Sequence, residues 1–229
     1  MTRRLRCSDG GYVYHVLNRA VGRAQIFDKS ADYAAFEKVL RQAWERTGMR
    51  LLAYTLLANH WHLVVWPEQD GDLSSYAQWL RVTHVHRWHA HHPTRGRGPV
   101  NQGRFRSFAV QEDDHFYTLC RYVERNALRA NLVRRAENWR WSSLWQRCHE
   151  TAVPWLQEWP LPLPEEWLAY VNRAETEREL AALRRCVLRG APFGDEGWQE
   201  QTAQALGLES ALRLPGRPRK NAVARKNPT

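Results

Sequence analysis

Apolar and polar residues alternate with two periods along the first 145 positions, and each period marks an element. Residues 11–18, Gly-Tyr-Val-Tyr-His-Val-Leu-Asn, alternate and are rich in aromatics, which predicts a strand. Arg19 to Asp28 reads as a basic loop. Tyr33, Phe36, Val39, Leu40, Ala43 and Trp44 then recur at helical spacing, predicting a helix from Ser30 or Asp32 to Thr47 with Gly48 as its stop. Residues 50–57 and 61–66 read as two strands joined by a tight Ala58-Asn59-His60 connection. Asp72 opens a helix that runs to about Ala90, and 91–103 is a Gly/Pro/Arg loop. Residues 104–111 form another strand, and Asp113 or Asp114 caps a helix from about His115 to Arg129. The order strand, helix, strand, strand, helix, strand, helix predicts an α+β fold: an antiparallel sheet with helices packed on one face.

Composition shifts after Trp145. Residues 151–164 carry Pro154, Pro160, Pro162 and Pro164 between and around Trp155 and Trp159, a stiff connector rather than a free linker. Residues 165–212 read as a helical region. Thr176-Glu177-Arg178-Glu179 is a capping box for a helix ending near Arg189-Gly190, and a further helix runs from Asp195 to Leu206. These two helices either form a helix-turn-helix-like DNA reader or pack on the core. Residues 213–229 form a basic tail, so the expected division is 1–150, 151–164, 165–212 and 213–229.

Charge narrows the partner. The 229 residues carry a net charge of +10, and thirty of the 34 basic residues are arginine, accompanied by twelve tryptophans. Guanidinium forks onto phosphate and stacks on bases, so this balance favours a nucleic-acid partner. Cys7, Cys120, Cys148 and Cys186 form no C-x-x-C pair, which argues against a zinc ribbon or thioredoxin-type site and fits a reducing cytoplasm. No apolar run approaches the ~18 residues of a membrane span, and the N-terminus has no signal-peptide core.

The candidate chemistry begins at Asn59-His60-Trp61-His62-Leu63. Side chains alternate along a strand, so His60 and His62 emerge on one face and Trp61 on the other. Two adjacent imidazoles can bind a divalent metal. The other H-x-H pairs, His84-Val85-His86 and His89-Ala90-His91, fall at the end of a helix, where residues two apart do not share a face; residues 84–92 read as a solvated or phosphate-facing cluster. Downstream, Tyr122 and Asn126 are four apart on a helix and stack on one side, with Arg125 and Arg129 nearby. A phenol, with its pKa of ~10, is a weak nucleophile at neutral pH. A metal on the histidine pair can polarise a scissile phosphate. Asn126 would add an oxygen ligand. Mixed N/O ligands suit Mg²⁺ or Mn²⁺, although spacing alone leaves zinc open.

These stretches together resemble the REP-associated tyrosine transposases, a branch of the single-tyrosine HUH transposases. The resemblance runs through Gly11-Tyr12-Val13-Tyr14-His15-Val16, Asn59-His60-Trp61-His62-Leu63, Gln102-Gly103-Arg104-Phe105-Arg106-Ser107 and Arg121-Tyr122-Val123-Glu124-Arg125-Asn126, and ends at Trp141-Ser142-Ser143-Leu144. Ala127 and Asn131 depart from it, where relatives often carry Pro and Gly. The resemblance implies a ferredoxin-like (RRM-like) core, His60 and His62 as metal ligands, Asn126 as the third, and Tyr122 as nucleophile. It further implies cleavage of single-stranded DNA at hairpin-forming extragenic palindromes, leaving a 5′-phosphotyrosine and a free 3′-hydroxyl.

Arg104 and Arg106 flank Phe105 and so would share a strand face, placing them to hold DNA beside the metal. Arg19, Arg23, Arg95 and Arg97 suit phosphate contact from loops. Arg217 and Arg219, in Gly216-Arg217-Pro218-Arg219-Lys220, resemble a minor-groove hook. The DNA-binding set is therefore Arg19, Arg104, Arg106, Arg125, Arg129, Arg217 and Arg219. Two rivals share the same residues: an RRM-like module that binds nucleic acid without chemistry, and a metal hydrolase that uses water in place of Tyr122. Monomer and dimer are both compatible with the sequence.

Overall fold

The structure is a computed structural model that describes residues 8–92, 98–149 and 153–213. Cys7, Arg95, Arg97, Arg217, Arg219 and the Gly216–Lys220 motif lie outside the described residues. The sheet strands are β1 (Val13–Arg19), β2 (Arg50–Leu57), β3 (His60–Trp66) and β4 (Arg106–Val110). They stand in the order β2-β3-β1-β4, with every neighbouring pair antiparallel. Helices α1 (Ser30–Thr47) and α2 (Asp72–His91) supply the two crossovers. The resulting strand-helix-strand-strand-helix-strand order is ferredoxin-like. After it come α3 (Asp114–Glu124), α4 (Asn126–Arg129), α5 (Ser143–Cys148), α6 (Trp167–Asn172), α7 (Glu177–Arg189), α8 (Glu196–Ala205) and α9 (Glu209–Leu212).

Local chemistry sets the ends of these elements. The Asp32 carboxylate accepts the Asp28 and Lys29 amides at the start of α1, and Gly48 closes it at φ 66°. Asp113 caps α3 by accepting the His115 amide at 2.8 Å. Thr176 and Glu179 form the expected capping box of α7.

Helices cover both faces of the sheet, which extends the single-face arrangement expected from element order. On one face, Tyr14, Val16, Trp61, Leu63 and Val65 pack beneath Phe36 and Leu40 of α1 and Tyr76 and Leu80 of α2. On the other, Val13, Val64, Phe108 and Val110 pack beneath Phe116, Leu119 and Val123 of α3, with Trp167 of α6 and Leu183 of α7 in the same cluster. A register shift between Leu51 and Ala53 puts Leu52 and Ala53 together on this second face. Strands β1, β2 and β3 are therefore buried almost throughout. Two-sided burial needs apolar residues at consecutive positions, and runs such as Leu51-Leu52-Ala53 carry them.

The chain after residue 153 closes the sheet's two open edges. Beside β2, Leu156 bridges to Leu51, Gln157 donates its amide to the Leu51 carbonyl at 2.8 Å, and the Trp159 indole donates to the Leu52 carbonyl at 2.8 Å. Beside β4, the Phe193 amide bonds the Ala109 carbonyl and the Gln111 amide bonds the Phe193 carbonyl. Unpaired strand edges are templates for aggregation, and both are covered here. Helix α7 packs against β4 and α3, so of its two expected placements it takes the one on the core.

The histidine cluster at 84–92 divides, which corrects its reading as a solvated group. His84 is buried, its ring stacked 5.5 Å from Phe27 and edge-on 4.7 Å from Phe36. His92 stacks on Trp88 and reaches Asp32, whereas His91 is exposed. Burial holds the His84 pKa down at about 4. An unfolded histidine titrates near ~6.5, so between that value and about 4 the unfolded chain binds a proton that the folded protein refuses. His84 therefore costs stability as pH falls through this window and has no such effect above it. Urea unfolding at pH 7.5 and pH 5.0 should show His84→Leu losing about 2 kcal/mol less than the unsubstituted protein across that interval. Equal losses would contradict a neutral buried imidazole.

Candidate active site

Strand alternation and register assemble the site on the sheet face beneath α3. His60 and His62 of β3 share that face, with ring centroids 5.1 Å apart. In register, His60 lies opposite Arg19 of β1, and His62 opposite Leu17. Tyr122 descends from α3, its ring 5.7 Å from that of His62 and edge-on to it. The phenol and the histidine pair, about sixty residues apart in sequence, thus meet in one cluster.

Each histidine has one ring nitrogen already occupied. His60 Nδ1 lies 2.5 Å from Asn59 Oδ1, a carboxamide oxygen that can only accept, so the proton is on Nδ1 and Nε2 is bare. His62 Nδ1 lies 2.9 Å from His15 Nε2. A proton on His62 Nδ1, donated to His15, leaves His62 Nε2 bare as well. Outer partners of this kind fix the tautomer and ring orientation of metal ligands. Burial is the main cause holding His60 at about 4 and His62 well below its ordinary value. Charges nearby push the same way: those of Arg19 and Arg129 on His60, and those of His60, His15, Arg129 and Arg19 on His62. Both rings are neutral at pH 7, the state that binds a metal.

His15 and Asn59 were missed as site residues by sequence reasoning. His15 stood in the β1 motif, but its meeting with His62 requires β1 and β3 to be neighbours, which strand order alone establishes. Asn59 immediately precedes His60, and its polar side chain at a tight turn was the available signal.

Asn126 does not continue the Tyr122 helix as a straight stripe, a correction to the expected helix from His115 to Arg129. The helix is interrupted at Arg125 (φ −81°, ψ −4°), and α4 begins at Asn126. Backbone bonds of helical spacing persist on both sides, from Arg125 N to Arg121 O and from Arg129 N to Arg125 O, so the stripe is bent rather than lost. Asn126 is buried, and its Nδ2 has no hydrogen-bond partner. A carboxamide turned by 180° exchanges its nitrogen and oxygen, so this unspent group can present an oxygen. With both protons on Nδ1, the two imidazole Nε2 atoms and the unpartnered Asn126 amide have the donor chemistry of a mixed N/O cation site. No group of three or more His, Cys, Asp or Glu suited to a metal occurs among the described residues.

The arginines separate into two groups. Arg125 and Arg129 both bind the buried carboxylate of Glu175, at 3.1 and 2.5 Å. Arg129 also lies 4.1 Å over the Tyr122 ring and holds it by a cation–π contact. Glu175 balances one of their two positive charges, and the shared ion pairs tie the tyrosine helix to the loop before α7. Arg19, Arg104 and Arg106 have no carboxylate partner within salt-bridge distance among the described residues. Arg19 is the last residue of β1 rather than a loop residue, and Arg104 precedes β4 rather than sharing its pleat with Arg106.

The model of the family described as "Transposase IS200 like" matches residues 10–126, slightly more than half of the chain. The chain belongs to the IS200-like transposase family. The match contains the whole sheet, the histidine pair and Tyr122, and ends at Asn126. Among solved structures, this IS200-like chain is similar to a REP-associated tyrosine transposase bound to a REP hairpin, with 17% identity and a TM-score of 0.55 over 72% of this chain and 96% of that one. At that identity the likeness establishes the shared fold. A protein from Deinococcus radiodurans described as a transposase aligns with a TM-score of 0.39 and 15% identity over 57% of this chain and 92% of that one. No curated protein matches the sequence. No helix among the described residues is long and apolar enough to cross a membrane.

The His15 bond gives a direct test of the site's outer layer. His15→Leu removes the partner of His62 Nδ1 while keeping the position apolar and filled. Calorimetric titration with Mn²⁺ should show affinity about 10–100-fold weaker than in the unsubstituted protein, with the thermal unfolding transition retained. Unchanged affinity would reduce His15 to a packing residue.

Proposed function

We propose that the protein nicks and rejoins single-stranded DNA beside a hairpin, through a 5′-phosphotyrosine on Tyr122. The observation that carries this reading is the Tyr122 ring set 5.7 Å from His62, on the sheet face that also bears His60. Membership of a transposase family supports it. So does the fold shared with a REP-associated tyrosine transposase that was solved bound to a REP hairpin.

In this reading His60 and His62, through Nε2, and Asn126, through its amide oxygen, would hold Mg²⁺ or Mn²⁺. Such an ion, when bound, polarises the scissile phosphate and offsets the charge that builds up there. Asn59 and His15 keep the two imidazoles in the ligating tautomer. Arg129 and the α3 backbone fix the phenol ring. The Tyr122 oxygen attacks phosphorus, and its proton passes to solvent. The P–O3′ bond breaks, and the 3′-oxygen takes up a proton to become a free hydroxyl. The downstream strand stays joined to the enzyme by its 5′-phosphate. One phosphodiester replaces another, so attack by a 3′-hydroxyl on the phosphotyrosine rejoins the strand, or joins a new one, without ATP.

Tyr122→Phe deletes only the nucleophilic oxygen. Incubated with hairpin-bearing single-stranded DNA and Mg²⁺ or Mn²⁺, this variant should lose cleavage by at least ~10³-fold, in line with removal of a covalent nucleophile. Its DNA affinity, read by gel shift, should stay within about twofold. Retained cleavage would transfer the reaction to water and reject the tyrosine.

A further inference from the structure

A cavity of about 160 Å³ lies where the end of β1 meets the approach to β4, beside the histidine pair. Asn18, Arg19, Gln102, Arg104 and Arg106 line it, with Leu17 and Val187 as its apolar walls. None of these residues is acidic and none is aromatic. Asn18 is 3% exposed, and its Nδ2 is buried without a hydrogen-bond partner. The Nε of Arg19 is likewise buried and unpartnered. Arg104 and Arg106 are exposed at the opening, where Arg106 Nη1 donates to the Val187 carbonyl at 3.3 Å.

The unspent buried atoms are both donors, and three guanidiniums line the cavity without a carboxylate partner among the described residues. Guanidiniums are donors only, and with no acid in the lining the cavity suits a ligand made of acceptors. An unstacked nucleobase would call for an aromatic or planar platform in addition to hydrogen bonds, and no ring lines these walls. A phosphate presents several acceptor oxygens and a negative charge in a compact group. We infer that this cavity seats a backbone phosphate of single-stranded DNA next to the one at the histidine pair, held by the Arg19, Arg104 and Arg106 side chains with Asn18 and Gln102 in its wall. The inference rests on the reading that single-stranded DNA passes His60 and His62. It adds a second anchoring point that fixes the strand's register there.

Binding in the absence of metal tests the seat apart from any chemistry. The probes are a fluorescent dT16 strand and an abasic deoxyribose-phosphate strand of equal length, read by anisotropy across a salt series. The Arg104→Gln, Arg106→Gln double variant should bind both strands at least about tenfold more weakly near ~100 mM salt. Its log–log salt slope should be shallower by about 0.7 for each phosphate no longer held. Asn18→Asp, which puts a carboxylate in the cavity without changing side-chain size, should also weaken both strands about tenfold or more. Thermal melts check that the variants fold. Affinity and slope equal to the unsubstituted protein would overturn the inference. So would a penalty on dT16 that disappears on the abasic strand, because the cavity would then hold a base. Metal-dependent cleavage plays no part in these outcomes, so failure of the nicking reaction and failure of the seat are separately visible.

Discussion

Glu124 ends the helix that carries Tyr122, and its carboxylate is wholly buried. Ser143 of α5 donates to Oε1 at 2.6 Å, Arg147 donates to the same oxygen at 2.8 Å, and the Trp167 indole of α6 donates to Oε2 at 2.8 Å. One residue earlier, the Val123 carbonyl accepts the Thr55 hydroxyl of β2 at 2.7 Å. These bonds fasten the C-terminal turn of α3 to the sheet and to two later helices. A buried carboxylate is tolerable only when its charge and lone pairs are matched, and removing one partner of such a set costs about 3–5 kcal/mol. The depth and angle at which Tyr122 meets the histidine face depend on this anchor. The bend at Arg125 follows directly after it.

A second pair of buried or half-buried acids extends the restraint to the C-terminal region. Glu175 takes Arg125 and Arg129, and Glu179 takes Arg121 at 2.5 Å. Three arginines around the tyrosine are thereby committed to holding the loop before α7 and the first turn of α7 against α3 and α4. The positive charge without a carboxylate partner beside the site, among the described residues, sits instead on β1 and the approach to β4, at Arg19, Arg104 and Arg106. A basic composition thus divides into internal fasteners and an open cationic cluster, a division that net charge cannot express.

Much of the sheet was legible in the sequence because its signals are local. Alternation in residues 11–18, the short apolar runs at 50–57 and 61–66, the stripe from Tyr33 to Trp44 and the Thr176-Glu179 box each specify an element within a few residues. The common face of His60 and His62 follows from strand geometry alone. Features that rest on distant pairing were not legible. The His15–His62 bond needs β1 beside β3, the ion pairs of Arg125 and Arg129 need an acid some fifty residues away, and the cover on the second sheet face needs α3, α6 and α7 to return to it. The pattern for α3 also ran past Glu124, because periodicity reports helical turns and carries no sign of the bend at Arg125. His84 misled for a related reason: an imidazole in a histidine-rich run looks solvated until two phenylalanines are found around it.

The central claim is that the Tyr122 oxygen becomes bonded to DNA phosphorus over the histidine face. Mass spectrometry of the protein after reaction with 3′-labelled, hairpin-bearing single-stranded DNA and Mn²⁺ addresses it most directly. The adduct is denatured, digested with nuclease and protease, and its modified peptide is sequenced. A nucleotide 5′-phosphate on Tyr122, with the 3′ label retained by protein before digestion, is the predicted result. Cleaved strands free of protein, or a nucleotide on any other residue, would contradict the account.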